Sequence, residues 1–314
     1  VILAIAKYVS AVVIGLCIYL AALQRPYGLA IAHKAIGGYE PCPWEKLFAY
    51  PWTIQKFDEL RKAEIKSLTV TTEDSSLSIE RIDSPTRPFW TKKNGEDMDG
   101  RHLLAYILAE QKWITQSDPG HGVRPGDVVV DVGAHIGTFD DDALRMGASK
   151  VILVEPDPVN VECIHRNFKN EIADGRVVVV AEGAWDKKDT LEFSVGVANS
   201  GTGSLVIPEV GGKAIRVPVR PLDDILRSIG VSRVDFIKMD IEGAERHALV
   251  GAKETLVKWK PRLMMDSYHL PDDDVVLPRV IHDLNPNYRV ECALCSRSRF
   301  NGDNRIIPYA VFYE

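Results

Sequence analysis

The chain alternates between two apolar rhythms. Residues 128–132 (VVVDV), 151–154 (VILV), 177–180 (VVVV) and 262–265 (RLMM) are short, nearly unbroken apolar runs. Runs of this kind mark parallel strands covered on both faces. Between them, apolar residues recur at helical spacing. The pattern predicts strand 128–132, helix 136–146, strand 151–155, helix 158–171 and strand 177–182. A polar β excursion over 190–220 follows, then a helix at 222–229, strand 234–239, helix 244–257, strand 262–266 and a helix at 275–284. Strands at 288–294 and 307–313 close the chain as an antiparallel end. Such alternation predicts an α/β fold with a mainly parallel sheet and helices on both faces.

Upstream the rhythm changes. Residues 1–23 (VILAIAKYVSAVVIGLCIYLAAL) carry one charge, Lys7, and show no polar face. As a helix they would measure about 34 Å at about 1.5 Å per residue, enough to cross a hydrocarbon core of about 30 Å. The expectation is an N-terminal transmembrane helix within 1–25, with Tyr8, Tyr19 and Tyr27 as interface aromatics. Arg25, His33, Lys34 and Lys46 follow the span, which places the large domain on the cytoplasmic side of a single-pass protein. A connector over 26–100 is expected to hold a short helix near 53–66 and a hairpin over 67–83, with 84–100 a loop. A helix near 101–116 opens the main domain, 101–314.

Composition narrows the partners. Of 314 residues, 46% are hydrophobic and 26% charged, enough for one full domain with an appendage. A net charge of −6 and no Lys/Arg run speak against a nucleic-acid surface. Five cysteines, an odd and sparse set, do not form a disulfide framework and suit a reducing compartment. Cys292 and Cys295 are spaced as a lone pair of thiols and lack two further ligands for a zinc site.

The candidate chemistry sits where strands end. Asp131 lies near the carboxyl end of the first core strand, and ligands of open α/β sheets bind beyond that end. Gly133 and Gly137 permit a tight turn into a helix whose free N–H groups suit an anion. About twenty residues later Glu155 ends the second strand and can accept two hydrogen bonds from ribose hydroxyls. A dinucleotide cradle wants a middle glycine; here His135 stands in that stretch and would crowd a pyrophosphate. S-adenosylmethionine therefore fits better than NAD, with Asp131 near its ammonium. A third strand, 234–239, ends on Asp240, followed by Glu242, Gly243 and Glu245. Asp240 and Glu242 could hold the methionine ammonium and a substrate hydroxyl, or a divalent ion; metal need stays open, and no metal is assigned.

DVGAHIGTF, VEPDPVNVECIHRNF, VPVRPLDDIL and KMDIEGAERHALVGA together resemble the FkbM family of class I S-adenosylmethionine-dependent methyltransferases, over about residues 100–314. The resemblance implies a Rossmann-like, seven-stranded class I methyltransferase fold and transfer to an oxygen of a sugar or natural-product hydroxyl. It implies that Asp131, Gly133, Ala134, His135 and Gly137 form the cofactor loop. It further implies that Glu155 holds the ribose, that Asp157 and Ala184 lie by the adenine, and that Asp240 lies by the methionine. The chain departs from the family at Asp140-Asp141-Asp142, three acids that would alter the mouth of the site or repel an anionic substrate.

Methyl transfer to a hydroxyl benefits from a general base. The strand 262–266 runs into Ser267-Tyr268-His269, and His269 is the expected base, oriented by Asp266. His135 is a second candidate, while His247 and His282 belong to helix surfaces. The substrate pocket is expected from loops 196–220 and 270–278. The whole reads as a membrane-anchored O-methyltransferase acting on a hydroxylated small molecule or lipid-linked acceptor. The competing reading is a non-catalytic subunit docked on other membrane proteins.

Overall fold

A computed structural model describes residues 26–37, 41–93, 99–117, 120–196, 200–208, 212–297 and 306–314. The expected transmembrane span, 1–25, lies outside the described residues. Among those described, no helix is long and apolar enough to cross a membrane.

The N-terminal portion contains α1 (Pro26–Ala35) and α2 (Trp44–Ser67). It continues with β1 (Thr69–Asp74), β2 (Ile79–Asp83) and β3 (Phe89–Lys92), which form a three-stranded antiparallel sheet. Two expectations change here. The helix near 53–66 begins nine residues earlier and carries Pro51 within it, where proline reads as a terminator. The segment 84–100 is not all loop: Phe89 is fully buried in β3, a strand of four residues too short to show a period.

The main domain runs through α3 (Gly100–Ser117), β4 (Val128–Val132), α4 (Thr138–Arg145), β5 (Lys150–Val154), α5 (Pro158–Asn167), α6 (Lys169–Ala173) and β6 (Val177–Val180). There follow β7 (Gly183–Ala184), β8 (Asp189–Val195), β9 (Lys213–Arg220), α7 (Leu222–Ser228), β10 (Phe236–Met239), α8 (Glu245–Gly251) and α9 (Lys253–Lys258). The last elements are β11 (Arg262–Asp266), α10 (Asp273–Leu284), β12 (Val290–Arg297) and β13 (Ile306–Tyr313). The single helix expected over 244–257 is thus two, broken at Gly251, where a Cβ would fall on the Trp185 carbonyl.

Seven strands form one sheet in the order β12-β13-β11-β10-β4-β5-β6. β6, β5, β4, β10 and β11 run parallel. β13 is antiparallel to both neighbours, so the antiparallel end expected from the sequence is present. The expected fold class, a Rossmann-like α/β fold with a seven-stranded, mainly parallel sheet, follows from this order. Strand residues alternate between the two helical layers. Val130, Val132, Ile152, Val154, Ile237 and Met239 pack with α7, α8, α9 and α10. Val129, Val151, Leu153, Phe236 and Met264 pack with α3, α4 and α5. β7, β8 and β9 make a separate small sheet beside the main one.

Cys42 and Cys295 form a disulfide, 253 residues apart in sequence, which ties the segment before α2 to β12. This overturns the expectation that all five thiols are unpaired. It also removes the free-thiol support for a reducing compartment, since disulfides persist in oxidising ones. Spacing gave no hint of it, because the two cysteines meet only through the tertiary fold.

Candidate active site

A cleft of about 350 Å³ opens at the carboxyl ends of β4, β5, β10 and β11. Of the two expected glycines, Gly133 lines it and Gly137 does not. Gly133 has φ +84°, and a Cβ there would fall on the Asp240 carbonyl oxygen, so the turn leaving β4 can press against the end of β10 only without a side chain. Gly137, at φ +88°, faces the Phe168 ring in the same way and starts α4. Between them Ala134 and His135 line the cleft. His135 is itself left-handed, at φ 53°. Its Nε2 lies 2.8 Å from Ser200 Oγ. Burial, then Lys92, pushes its pKa down to about 4, so the ring is neutral and a poor proton acceptor.

Glu155 stands one residue past β5 and lines the cleft. Its carboxylate accepts from the His135 amide at 2.8 Å and the Asp157 amide at 2.9 Å. Burial outweighs these donors and raises its pKa to about 7. The two backbone donors fix the carboxylate's direction at the strand end, the place a ribose-binding acid must occupy.

Other expected residues are placed differently. Asp157 does not line the cleft. One of its oxygens caps α5, accepting from the Val159 amide at 2.8 Å, and the other pairs with Lys92. Its sequence position beside Glu155 matched an adenine contact, but the helix takes its side chain. Asp131 lines the cleft, yet Lys238 donates to it at 3.1 Å from the facing position on β10. That pairing occupies the oxygen expected to meet an ammonium. The acidic triplet is not at the mouth. Asp140 is fully buried behind Asp131, and burial together with Asp131 pushes its pKa well up. Asp141 is held by Arg87 at 2.8 Å and Arg145 at 3.2 Å, and Asp142 pairs with Arg145. With these charges turned away from substrate, the observation that favoured a non-catalytic subunit is gone.

At the far end of the cleft stand Asp240, Glu242 and Asp266. Glu242 adopts φ 52°, a left-handed conformation costly for a non-glycine residue and characteristic of functional sites. Its carbonyl is held by Ser204 Oγ at 2.6 Å. Asp266 accepts from Tyr268 Oη at 3.2 Å rather than orienting His269. Burial, then Asp240 and Glu110, keeps the Asp266 carboxyl well above the usual range.

His269 is revised as a base. It is 6% exposed, and its Nδ1 lies 2.9 Å from Glu245 Oε1. Its Nε2 lies 3.4 Å from Asp240 Oδ1 and 3.6 Å from Glu242 Oε2. Burial alone would lower its pKa, but the three carboxylates prevail and raise it to about 10. An imidazole already protonated at neutral pH cannot take a proton. Glu245, read from the sequence as a helix-dipole acid, is fully buried and also accepts from the Ile241 amide at 3.0 Å.

Sequence reasoning missed the roof. Leu103, Tyr106, Ile107, Glu110 and Ile114 of α3 line the cleft. A helix outside the motifs gives no chemical signal, and only its amphipathic spacing announced a buried face. The segment 200–205 also lines the cleft as expected, together with Ala184, while 270–278 contributes nothing to the lining.

The residues fit S-adenosylmethionine. A fixed carboxylate stands at the end of β5, a left-handed glycine lies at the turn after β4, and the cleft reaches from Glu155 to Asp240. The Methyltransferase FkbM domain family matches residues 131–289, half of the chain. Among curated proteins, 31-O-demethyl-FK506 methyltransferase FkbM of Streptomyces tacrolimicus is 29% identical over 192 residues, covering 51% of this chain and 72% of that protein. Methyltransferase sdnD of Sordaria araneosa is 28% identical over 156 residues, 40% of this chain and 60% of that one. Among solved structures, methyltransferase FkbM of Methylobacillus flagellatus KT aligns with a TM-score of 0.44 at 18% identity, over 86% of this chain and 60% of that one. The cleft at the strand ends and the family match from the end of β4 through α10 place this chain in the FkbM family, as an S-adenosylmethionine-dependent methyltransferase.

Proposed function

We propose that this protein methylates a hydroxyl oxygen of a hydroxylated small molecule or lipid-linked acceptor, working at a membrane surface. The observation that carries the acceptor class is the contrast along the cleft. A mostly apolar roof from α3 (Leu103, Tyr106, Ile107 and Ile114, with Glu110 and Gln111 as its polar members) faces a group of acids at the ends of β10 and β11. An apolar skeleton bearing a hydroxyl fits that contrast. The Streptomyces relative's name, an O-demethyl-FK506 methyltransferase, supports oxygen as the receiving atom.

Bound S-adenosylmethionine would supply an electrophilic methyl group, taken in line by the acceptor oxygen as the sulfonium becomes a thioether and the hydroxyl proton passes to a base. Glu155 would accept from the ribose hydroxyls, and Gly133 and Ala134 would let the tail approach the backbone. Asp131 contributes by fixing Lys238 in the wall of the cleft. The Asp240 oxygen other than Oδ1, which faces His269, would hold the methionine ammonium. Glu242, aimed by its strained backbone, is the proposed proton acceptor in place of His269. Positioning the acceptor within about 3–3.5 Å of the methyl supplies most of the effect in such reactions.

The membrane placement draws on α2. Trp44, Phe48 and Trp52, spaced four residues apart, are 39%, 55% and 70% exposed. They form one aromatic stripe close behind the apolar segment 1–23. Trp is enriched at membrane–water boundaries, which suits this stripe. Radiolabelled methyl transfer from S-adenosylmethionine to a panel of hydroxylated polyketides, isoprenoid alcohols and glycolipids tests the acceptor class. Label recovered only on nitrogen or carbon acceptors would refute it. Flotation of the full chain with liposomes tests the placement, and a chain that stays at the bottom of the gradient refutes it.

A further inference from the structure

Beyond methyl transfer itself, the acidic end of the cleft has the construction of a metal centre. His269 has two ring nitrogens in two different environments. Nδ1 faces Glu245 Oε1 at 2.9 Å, and Glu245 is wholly buried. A carboxylate on one ring nitrogen fixes the tautomer and turns the other nitrogen outward, the arrangement found behind metal-bound histidines. Here Nε2 is buried and has no hydrogen-bond partner among the described residues. It points toward Asp240, whose Oδ1 is 3.4 Å away. One oxygen of Asp240, one of Asp266 and a ring nitrogen of His269 all lie within 4.8 Å of one another. Ligands at about 2.0–2.6 Å from a common ion are separated by up to about 4–5 Å, so one ion can reach all three.

Charge points the same way. Asp240, Glu242, Glu245 and Asp266 surround a single imidazole. The nearby ammonium, Lys238, is already paired with Asp131. Glu245 and Asp266 are buried and Asp240 and Glu242 are partly so, and enclosed carboxylates in such excess are stable when they share a cation.

We propose that Asp240, Asp266 and His269 Nε2 bind one divalent cation of the Mg²⁺/Mn²⁺ class at the reacting end of the cleft. Two carboxylates and one imidazole suit such an ion and leave positions for water and for an acceptor oxygen. The cation replaces the proton on Nε2. Its role rests on the proposed O-methylation: it holds the acceptor hydroxyl and eases loss of the proton to Glu242. The binding itself does not depend on that reading. This also gives Asp266 a task that its sequence position did not suggest.

The test is Mn²⁺ titration of the chelator-treated full chain, followed by electron paramagnetic resonance. The expected result is one Mn²⁺ per chain with ¹⁴N modulation of its echo signal from a coordinated imidazole. His269→Gln should remove the modulation and weaken binding at least tenfold, and Asp266→Asn should weaken it similarly with the modulation retained. Circular dichroism melts identify variants that remain folded, and Asp266→Asn serves if His269→Gln does not. No binding up to about 1 mM Mn²⁺ would overturn the inference, as would binding without nitrogen modulation. S-adenosylhomocysteine binding is measured on the same metal-free samples. If it is retained while Mn²⁺ does not bind, the metal inference alone fails; if both are lost, the cofactor reading fails too.

Discussion

Lys238 Nζ donates to Asp131 Oδ1 at 3.1 Å across directly paired strands, and Asp131 is fully buried. Both residues line the cleft. Burial opposes the lysine's charge, but Asp131, Asp240 and Asp266 more than restore it, so its pKa is raised. Removing one partner of such a pair leaves the other charge uncompensated. Lys238→Met should therefore destabilise the protein by about 3–5 kcal/mol. Urea denaturation followed by tryptophan fluorescence measures this, and a loss under about 1 kcal/mol would show that Asp131 and Asp140 need no cation.

Glu155 predicts a pH dependence with a definite sign. Its pKa in the fold is about 7, raised from 4.5. The protonated form is therefore favoured by folding. Its stabilising contribution is complete below about pH 4.5 and is lost as pH rises through 7. Cofactor binding should run the other way, because the ionised carboxylate is the better acceptor for two ribose hydroxyls. Affinity for S-adenosylhomocysteine should rise between pH 6 and 8, and Glu155→Gln should flatten the profile. A profile unchanged in that variant assigns the titration to another group.

Gly133 predicts a local failure. Alanine at this position meets both a left-handed φ and the Asp240 carbonyl. Strain of this kind costs about 1–3 kcal/mol and pushes β4 and β10 apart at the cleft. Gly133→Ala should lower the melting temperature and weaken S-adenosylhomocysteine binding together. Wild-type affinity in that variant would mean that the turn is not a cofactor contact.

Glu242 predicts a split between binding and turnover. Glu242→Gln keeps the shape of the side chain and removes its basicity. Loss of a general base lowers kcat by about 10²–10⁴-fold, while cofactor affinity should stay within about twofold of wild type. An unaltered kcat removes Glu242 from proton transfer.

Much of this was legible in the sequence because the strands are uniform. β4 and β11 have the predicted limits, since valine-rich and methionine-rich runs bounded by Pro125-Gly126 and Pro261 admit one reading. Glu155 and Gly133 line the cleft as their sequence positions suggested, because strand-end placement is local, whereas Gly137 packs against Phe168 outside the lining. Asp157 and His269 were assigned other tasks because their partners are remote: Lys92 lies 65 residues before Asp157, and Glu245 lies 24 before His269. The same holds for Cys42 and Cys295. A residue's neighbours in sequence state its type, whereas its charge state depends on what the fold brings within about 4 Å.

The most direct test is isothermal titration of S-adenosylhomocysteine into the wild-type chain and into Glu155→Ala. One site per chain, weakened at least tenfold in the variant, is the predicted result. Equal affinity in both, or no binding to either, would contradict a cofactor held by its ribose at the end of β5.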